Sequence, residues 1–240
     1  MIILPAIDIL DGACVRLQKG AYETAHKVAA DPMETAHAFE AAGADYIHMV
    51  DLNGAKDAKC TNRDLFVKVA AEISCPIELG GGIRTMEAVE YYLTHGISRV
   101  ILGSAALRDP ELVKRAAGTY GEKIAVGIDA KGGKVSVEGW IDTSDVDYIE
   151  FANLMESLGV GNIIFTDISR DGMLTGPNLD QLAALKDAIS VDITASGGIK
   201  DIDDIRNLRD MKLYGAICGK SLYSGSLSLD EAIALCREVG

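Results

Sequence analysis

The chain has 240 residues and carries 23 Lys and Arg against 36 Asp and Glu, a formal charge of −13. With 48% apolar and 25% charged residues it has the make-up of an ordinary globular protein, which excludes disordered and fibrous chains. No apolar run approaches the roughly eighteen residues of a membrane span, the start Met1-Ile2-Ile3-Leu4-Pro5 lacks a secretory pattern, and the acidic balance argues against nucleic-acid or anionic-membrane partners. Five scattered cysteines (14, 60, 75, 218 and 236), an odd number without a CxxC pair, read as reduced thiols of a cytoplasmic protein.

In chain order, Ile2–Ile9 reads as a strand, followed by a long loop over 10–30 that includes Arg16, Lys19 and Gly20. Asp31-Pro32 opens a helix to Ala42; then come a strand at Tyr46–Asp51 and a helix from Thr61 or Asn62 to Glu72. A strand at Pro76–Leu79 precedes a helix from Thr85 to His95, and a strand at Arg99–Leu102 precedes one opened by Asp109-Pro110-Glu111. The second half repeats the order: strand Ile124–Asp129, a hairpin-like stretch over 131–144, helix Ser144–Leu158, strand Asn162–Asp167 and helix Asn178–Ala188. Strand Val191–Ala195, helix Asp201–Arg209, strand Leu213–Cys218 and helix Ser228–Val239 complete it. The strands are short continuous apolar runs, the mark of parallel strands buried on both faces. Eight alternations without a linker predict an α/β fold, a single (β/α)8 TIM barrel spanning 1–240. An open dinucleotide-binding sheet is disfavoured, because the first turn, Asp8-Ile9-Leu10-Asp11-Gly12, has no GxGxxG.

An internal repeat sharpens this. At a shift of 116, Gly43, Asp51, Asn62, Asp64, Gly81-Gly82-Ile83 and Gly103 fall on Gly159, Asp167, Asn178, Asp180, Gly197-Gly198-Ile199 and Gly219. Ala6-Ile7-Asp8 matches Gly127-Ile128-Asp129 at a shift of 121. The barrel is therefore expected to consist of two repeated half-barrels, about 1–120 and 121–240.

Barrel chemistry sits at the C-terminal ends of the strands. Asp8 and Asp129 end the first and fifth strands at equivalent points of the repeat. Each could cap a turn or helix; as a pair they suit acid–base chemistry with one carboxyl protonated and one ionised, and the residues alone leave the roles open. Gly80-Gly81-Gly82-Ile83-Arg84 and Leu102-Gly103-Ser104 recur as Ser196-Gly197-Gly198-Ile199-Lys200 and Cys218-Gly219-Lys220-Ser221. Glycine lets backbone approach an oxyanion, and a following helix offers free N–H groups. Two duplicated turns predict two phosphate sites and a long ligand whose middle lies over Asp8 and Asp129. Arg16 is either a solvated loop charge or a bidentate contact to phosphate or carboxylate, and Trp140 either packs under its loop or belongs to a closing lid. Thr166 caps a turn or bonds substrate, and His48, facing inward with Val50, is a core or a substrate-contacting histidine. His26, His37 and His95 read as surface residues; no metal-ligand spacing or Ser–His–Asp nucleophile stands out.

Leu4-Pro5-Ala6-Ile7-Asp8, Val15-Arg16-Leu17, His48-Met49-Val50-Asp51-Leu52, Gly80–Arg84, Gly139-Trp140, Thr166-Asp167-Ile168-Ser169-Arg170-Asp171-Gly172 and Ser196–Ile199 together resemble the ProFAR isomerase family of histidine biosynthesis, over essentially the whole chain. The resemblance implies an Amadori rearrangement of an N-linked aminoaldose, bearing a phosphate on each of two sugars, to an aminoketose, without metal or cofactor. It implies Asp129 as general acid, Asp8 as general base and Thr166 assisting. Gly82, Gly103 and Ser104 would hold one phosphate, and Gly198, Gly219 and Lys220 the other. Arg16, His48, Trp140 and Asp171 would complete the substrate contacts. A monomeric cytoplasmic enzyme with a small-molecule substrate is expected.

Where relatives usually have Gly-Asp-Tyr and Thr-Val-Tyr in the first loop, this chain has Gly20-Ala21-Tyr22 and Ala25-His26-Lys27; Asn53 stands for a frequent Asp and Glu78 for a frequent Gln. These departures bear on loop closure and affinity more than on the chemistry. Trp140 and the Leu-Pro-Ala-Ile-Asp start weigh against the sister cyclase, and Asp8 against the tryptophan-pathway isomerase with its cysteine base. A bifunctional isomerase also acting on phosphoribosylanthranilate would rely on a fifth-loop arginine, absent from 131–144. A non-catalytic phosphosugar-binding barrel would have no reason to keep both aspartates.

Overall fold

The computed structural model describes residues 1–29, 31–57, 61–137, 140 and 142–237. Strand β1 (Ile2–Leu10) runs on into an antiparallel hairpin, β2 (Ala13–Gln18) and β3 (Ala21–Lys27). Three strands follow, β4 (Ile47–Asp51), β5 (Ile77–Gly80) and β6 (Arg99–Leu102). β7 (Ile124–Lys131) runs into a second arm, β8 (Lys134–Val137) and β9 (Asp142–Asp147). Last come β10 (Asn162–Asp167), β11 (Asp192–Ser196) and β12 (Gly215–Cys218). β1, β4, β5, β6, β7, β10, β11 and β12 pair in parallel in that order, and β12 pairs back onto β1, closing an eight-stranded (β/α)8 barrel.

Around it lie α1 (Pro32–Ala41), α2 (Leu52–Asp57), α3 (Arg63–Glu72), α4 (Met86–Thr94), α5 (Ser104–Arg108) and α6 (Pro110–Tyr120), then α7 (Tyr148–Ser157), α8 (Leu179–Ala188), α9 (Ile202–Asp210), α10 (Lys220–Ser224) and α11 (Leu229–Arg237). Side-chain caps set their starts: Asp31 accepts from the Met33 and Glu34 amides ahead of α1, and Asp109 from Leu112 ahead of α6, each with Pro in the first turn. None of the helices among the described residues is long and apolar enough to cross a membrane.

Three local expectations change. The first loop is the β2–β3 hairpin, and both β1 and β7 continue two residues beyond their aspartates into the arms. The seventh helix begins at Tyr148 rather than Ser144, because Ser144 donates its hydroxyl to the Val135 carbonyl across the β8–β9 pair. Asp147 then caps the helix through the Ile149 and Glu150 amides. The short helices α2, α5 and α10 had no sequence signal, since five or six residues show no helical period.

Alternate strand positions face two cores. Ile3, Ile7, Ile47, Met49, Val100, Val126 and Phe165 pack outward under the helices, while Leu4, Ala6, Ile101, Ala125, Ile164 and Ile217 fill the barrel. Each such aliphatic side chain contributes about 1.5–3 kcal/mol on burial, which is why the strands read as unbroken apolar runs.

The two halves share polar joints at the 116-residue shift. Asp51 accepts from Asn62 Nδ2 at 2.8 Å and from the Gly54 amide at 3.1 Å; Asp167 accepts from Asn178 Nδ2 at 2.6 Å and from the Ser169 amide at 2.9 Å. Glu40 accepts the Ser74 amide as Glu156 accepts that of Ser190. Both aspartates are buried. Asn62→Ala and Asn178→Ala, each stripping a donor from a buried carboxylate, are expected to lose similar stability, about 1–3 kcal/mol, measured by urea unfolding.

Candidate active site

A cleft of about 1210 Å³ opens at the C-terminal ends of the barrel strands. Asp8, Arg16, His48, Gly82, Gly103, Ser104, Asp129, Trp140, Thr166 and Asp171 line it. Gly198, Gly219 and Lys220 line an adjoining pocket of about 310 Å³ that shares Arg16 and Asp171 with the cleft. The catalytic and binding candidates singled out in the sequence therefore border one or other of two adjoining pockets. Gly139 and Cys60 lie outside the described residues, and Cys14, Cys75, Cys218 and Cys236 are free thiols.

The two aspartates have different surroundings. Arg16, carried by the first hairpin, donates from Nη1 to Asp8 Oδ2 at 2.8 Å, so Asp8 has a cation in direct contact. Burial works against the Arg16 charge, but Asp8 first and Asp171 next outweigh it and raise its pKa. Its guanidinium lies flat on Gly219, where a Cβ would collide with it. Among the described residues, Asp129 has no such cation in contact. Burial pushes its carboxyl up, against hydrogen bonds with Trp140 and with Thr166, its cross-strand neighbour, and the charge of His48. One carboxyl is thus paired with a guanidinium and the other is desolvated, an inequality that acid–base chemistry can use.

The arms meet over the cleft. The Trp140 indole covers Gly20, where a Cβ would collide with the ring. The Lys19 amide donates to the Asp171 carbonyl at 3.2 Å, tying the first hairpin to the loop after β10. Lys220 Nζ donates to the Gly172 carbonyl at 2.7 Å. Asn53 accepts the Asp11 amide at 2.8 Å and donates to the Asp11 carboxylate at 2.7 Å. An aspartate there could not donate, so this departure fastens the root of the hairpin.

The glycine turns serve two ends. Gly82 and Gly198 have φ of 77° and 85°, and a Cβ on them would strike the carbonyl of Gly54 in α2 and that of Gly176 in the loop after β10. Gly103 has open space at that point and leads directly into α5, as Gly219 leads into α10. First-turn amides of a helix lack intrahelical acceptors and suit an anion. The cradles differ in side chain: Ser104 in one, Lys220 in the other.

The sequence reading named Tyr22 and Glu78 only in its comparison with relatives, and it quoted Arg84 without a role. Tyr22 lines the cleft and donates to the Leu52 carbonyl at 2.9 Å, and Arg84 lines it beside the first cradle. Glu78, inside the barrel and fully buried, accepts from His48 Nδ1 at 2.7 Å and from Arg99 Nε and Nη2 at 2.9 and 2.6 Å. Burial would raise its pKa, but the bond and charge of His48, joined by Arg99, prevail and lower it. Period-2 alternation puts residues 48, 78 and 99 inside, but their cross-strand register is not visible in the chain order.

Asp171 is pushed up to about 6, first by burial, with Asp8 and Asp129 adding to the rise and Arg16 opposing it. A carboxyl whose pKa is raised on folding costs nothing where it is protonated in both states. The cost appears as pH climbs through the ordinary range and is complete above about 6. Asp171→Asn is therefore expected to raise thermal stability at pH 8, by roughly 1–3 kcal/mol, and to leave it nearly unchanged at pH 4. Melting curves at the two pH values test the sign.

Comparison with known proteins places this geometry. The family model described as "Histidine biosynthesis protein" matches residues 2–228. A 1-(5-phosphoribosyl)-5-((5-phosphoribosylamino)methylideneamino)imidazole-4-carboxamide isomerase from Clostridium beijerinckii is 56% identical over 238 residues, 99% of each chain. Isomerases of the same name from Clostridium botulinum (54%, 99% of this chain and 100% of the relative) and Clostridium acetobutylicum (52%, 99% and 100%) are also similar.

Proposed function

The chain belongs to the histidine biosynthesis protein family, and we propose that in it Asp8 and Asp129 carry out the Amadori rearrangement of ProFAR, an N-linked aminoaldose, to the aminoketose PRFAR. The isomerase activity is that of its relatives, which match the chain from end to end. The observation that carries the assignment of roles is the unequal pair of carboxyls: Asp8 in contact with Arg16, Asp129 desolvated and held by Thr166 and Trp140.

The substrate ends in two phosphates. Gly82, Gly103 and Ser104 hold one, Gly198, Gly219 and Lys220 the other, and the reacting sugar is stretched over the two aspartates. Asp129 gives its proton to the ribose ring oxygen as the bond from that oxygen to C1′ breaks, leaving a protonated imine. Asp8 removes the C2′ proton, and the C2′–H electron pair moves into the C1′ side to form an enolamine. As the C1′=C2′ bond forms the C1′=N π pair returns to nitrogen, and loss of the C2′ hydroxyl proton with protonation at C1′ completes the aminoketose, so atoms and charge balance. Thr166 keeps Asp129 oriented while its proton leaves. Trp140 and the first hairpin exclude water, and Arg16, His48 and Asp171 contact the sugar hydroxyls. The enzyme acts as a cytoplasmic monomer on a small molecule, without nucleic-acid or membrane partners.

Asp8→Asn and Asp129→Asn are each expected to lower kcat by about 10²–10⁴-fold while ProFAR still binds. Conversion followed spectroscopically, with phosphoribosylanthranilate as the parallel control, reads turnover, and calorimetry reads binding. Weakened binding with unchanged turnover in either variant would remove it from the chemistry. Inorganic phosphate is expected to compete with ProFAR, raising KM and leaving kcat alone; absence of inhibition would count against the two cradles.

A further inference from the structure

Trp140, the single tryptophan of the chain, lies between β8 and β9, and Gly20 lies between β2 and β3; both border the cleft. The indole meets two groups. At one end it shares a hydrogen bond with the Asp129 carboxyl. An indole nitrogen is a donor only, so Asp129 accepts whether or not it carries its own proton. At the other end the six-membered ring covers Gly20. A Cβ built on Gly20 would lie 2.9 and 3.0 Å from Cδ2 and Cζ3 and nearer still to Cε3. Carbon atoms rest about 3.5–4.0 Å apart, so a side chain at 20 must push the ring back by roughly an ångström. The indole is rigid, and displacing its six-membered ring carries Nε1 with it. Trp140 itself has φ of 72°, a left-handed backbone that persists in a residue with a Cβ where the surroundings hold it. The first arm is fixed in turn by the Lys19 amide on the Asp171 carbonyl.

We propose that Gly20 is a positioning residue: its bare backbone seats the Trp140 indole so that Nε1–H stays on Asp129, and the proton donor is assembled by the two arms together. The inference rests on the isomerase reading and deepens it. When Asp129 gives up its proton, a carboxylate appears in a desolvated place, and an N–H already aimed at it offsets the new charge without reorganisation. Thr166 supplies a second hydrogen bond from the barrel wall, on the strand beside Asp129. The indole, in contrast, keeps its place only with a glycine of the first arm beneath it. Gly12, at the root of the same hairpin, separates packing from backbone. Its φ is 77° against 70° at Gly20, but a Cβ there meets nothing within 4 Å.

The test compares Gly20→Ala with Gly12→Ala, two substitutions of similar backbone strain in one hairpin. The first readout is the indole ¹⁵N–¹H resonance, of which the full-length protein has one. Asp129→Ala, which leaves the indole no carboxyl, marks the position of the released N–H. Gly20→Ala is expected to move the resonance toward that position and Gly12→Ala to leave it in place. A resonance unmoved by Gly20→Ala overturns the proposal without reference to turnover, so the proposal and the isomerase reading fail separately. A resonance unmoved by Asp129→Ala overturns it even if Gly20→Ala does not fold. On ProFAR, Gly20→Ala is expected to lower kcat about 10²-fold, the scale of misplacing one group by an ångström, with KM changed less than about threefold. Gly12→Ala in the parent, and Gly20→Ala in a Trp140→Ala background, are each expected to change kcat less than about twofold. An equal loss in both backgrounds, or in both glycine variants, would show that Gly20 acts only through the hairpin backbone and would overturn the proposal.

Discussion

The Arg16 guanidinium is the contact on which the electrostatics of the cleft depend. Three carboxylates, Asp8, Asp129 and Asp171, crowd one mouth in a chain of net charge −13. Asp8 and Asp129 both push Asp171 upward, and Arg16 is the named cation opposing them. Because Arg16 rides on the hairpin between β2 and β3, the proton affinities of the mouth are tied to where that arm lies. The arm is held by the Lys19 amide on Asp171, by Asn53 on Asp11 and by the Trp140 ring over Gly20. The arm therefore contributes the cation that contacts Asp8 as well as cover for the cleft.

The repeat supplies a symmetric frame and the loops break its symmetry. Asp51 with Asn62 and Asp167 with Asn178 brace the second and sixth connections in the same way. The frame puts Asp8 and Asp129 at corresponding strand ends, and identical surroundings would give them identical chemistry. The first hairpin brings Arg16 to Asp8, while Trp140 and Thr166 hold Asp129. The inequality of the two carboxyls thus comes from the two arms, which lie outside the repeat register, and from Thr166, whose counterpart within it is Val50.

How much of this was legible follows from the range of each interaction. Continuous apolar runs such as Arg99–Leu102 and Asn162–Asp167 fall on strands with the bounds read from the sequence, because burial on both faces leaves a local mark. The duplicated glycine turns are local marks of the same kind, and both border the pockets at the barrel mouth. Ser144 was misjudged as a helix start because its partner, Val135, lies across a hairpin. The Glu78 pairs with His48 and Arg99 join residues 30 and 21 apart and depend on barrel register, which no local pattern encodes. Arg16 was visible as a candidate, but its choice of Asp8 over a phosphate was decided only by the fold of the arm.

Glycine in this barrel also carries two meanings that sequence spacing merges. At Gly81 and Gly82 a side chain is forbidden by the backbone of the loop after β4, whatever ligand is bound. At Gly103 nothing crowds the missing Cβ, so packing gives no reason for glycine there. Gly219 lies between these cases, since the group it makes room for is the Arg16 guanidinium itself. Few cations border these turns in an acidic chain: Arg84 lines one and Lys220 the other, and Arg16 lies between the Asp8 carboxylate and Gly219.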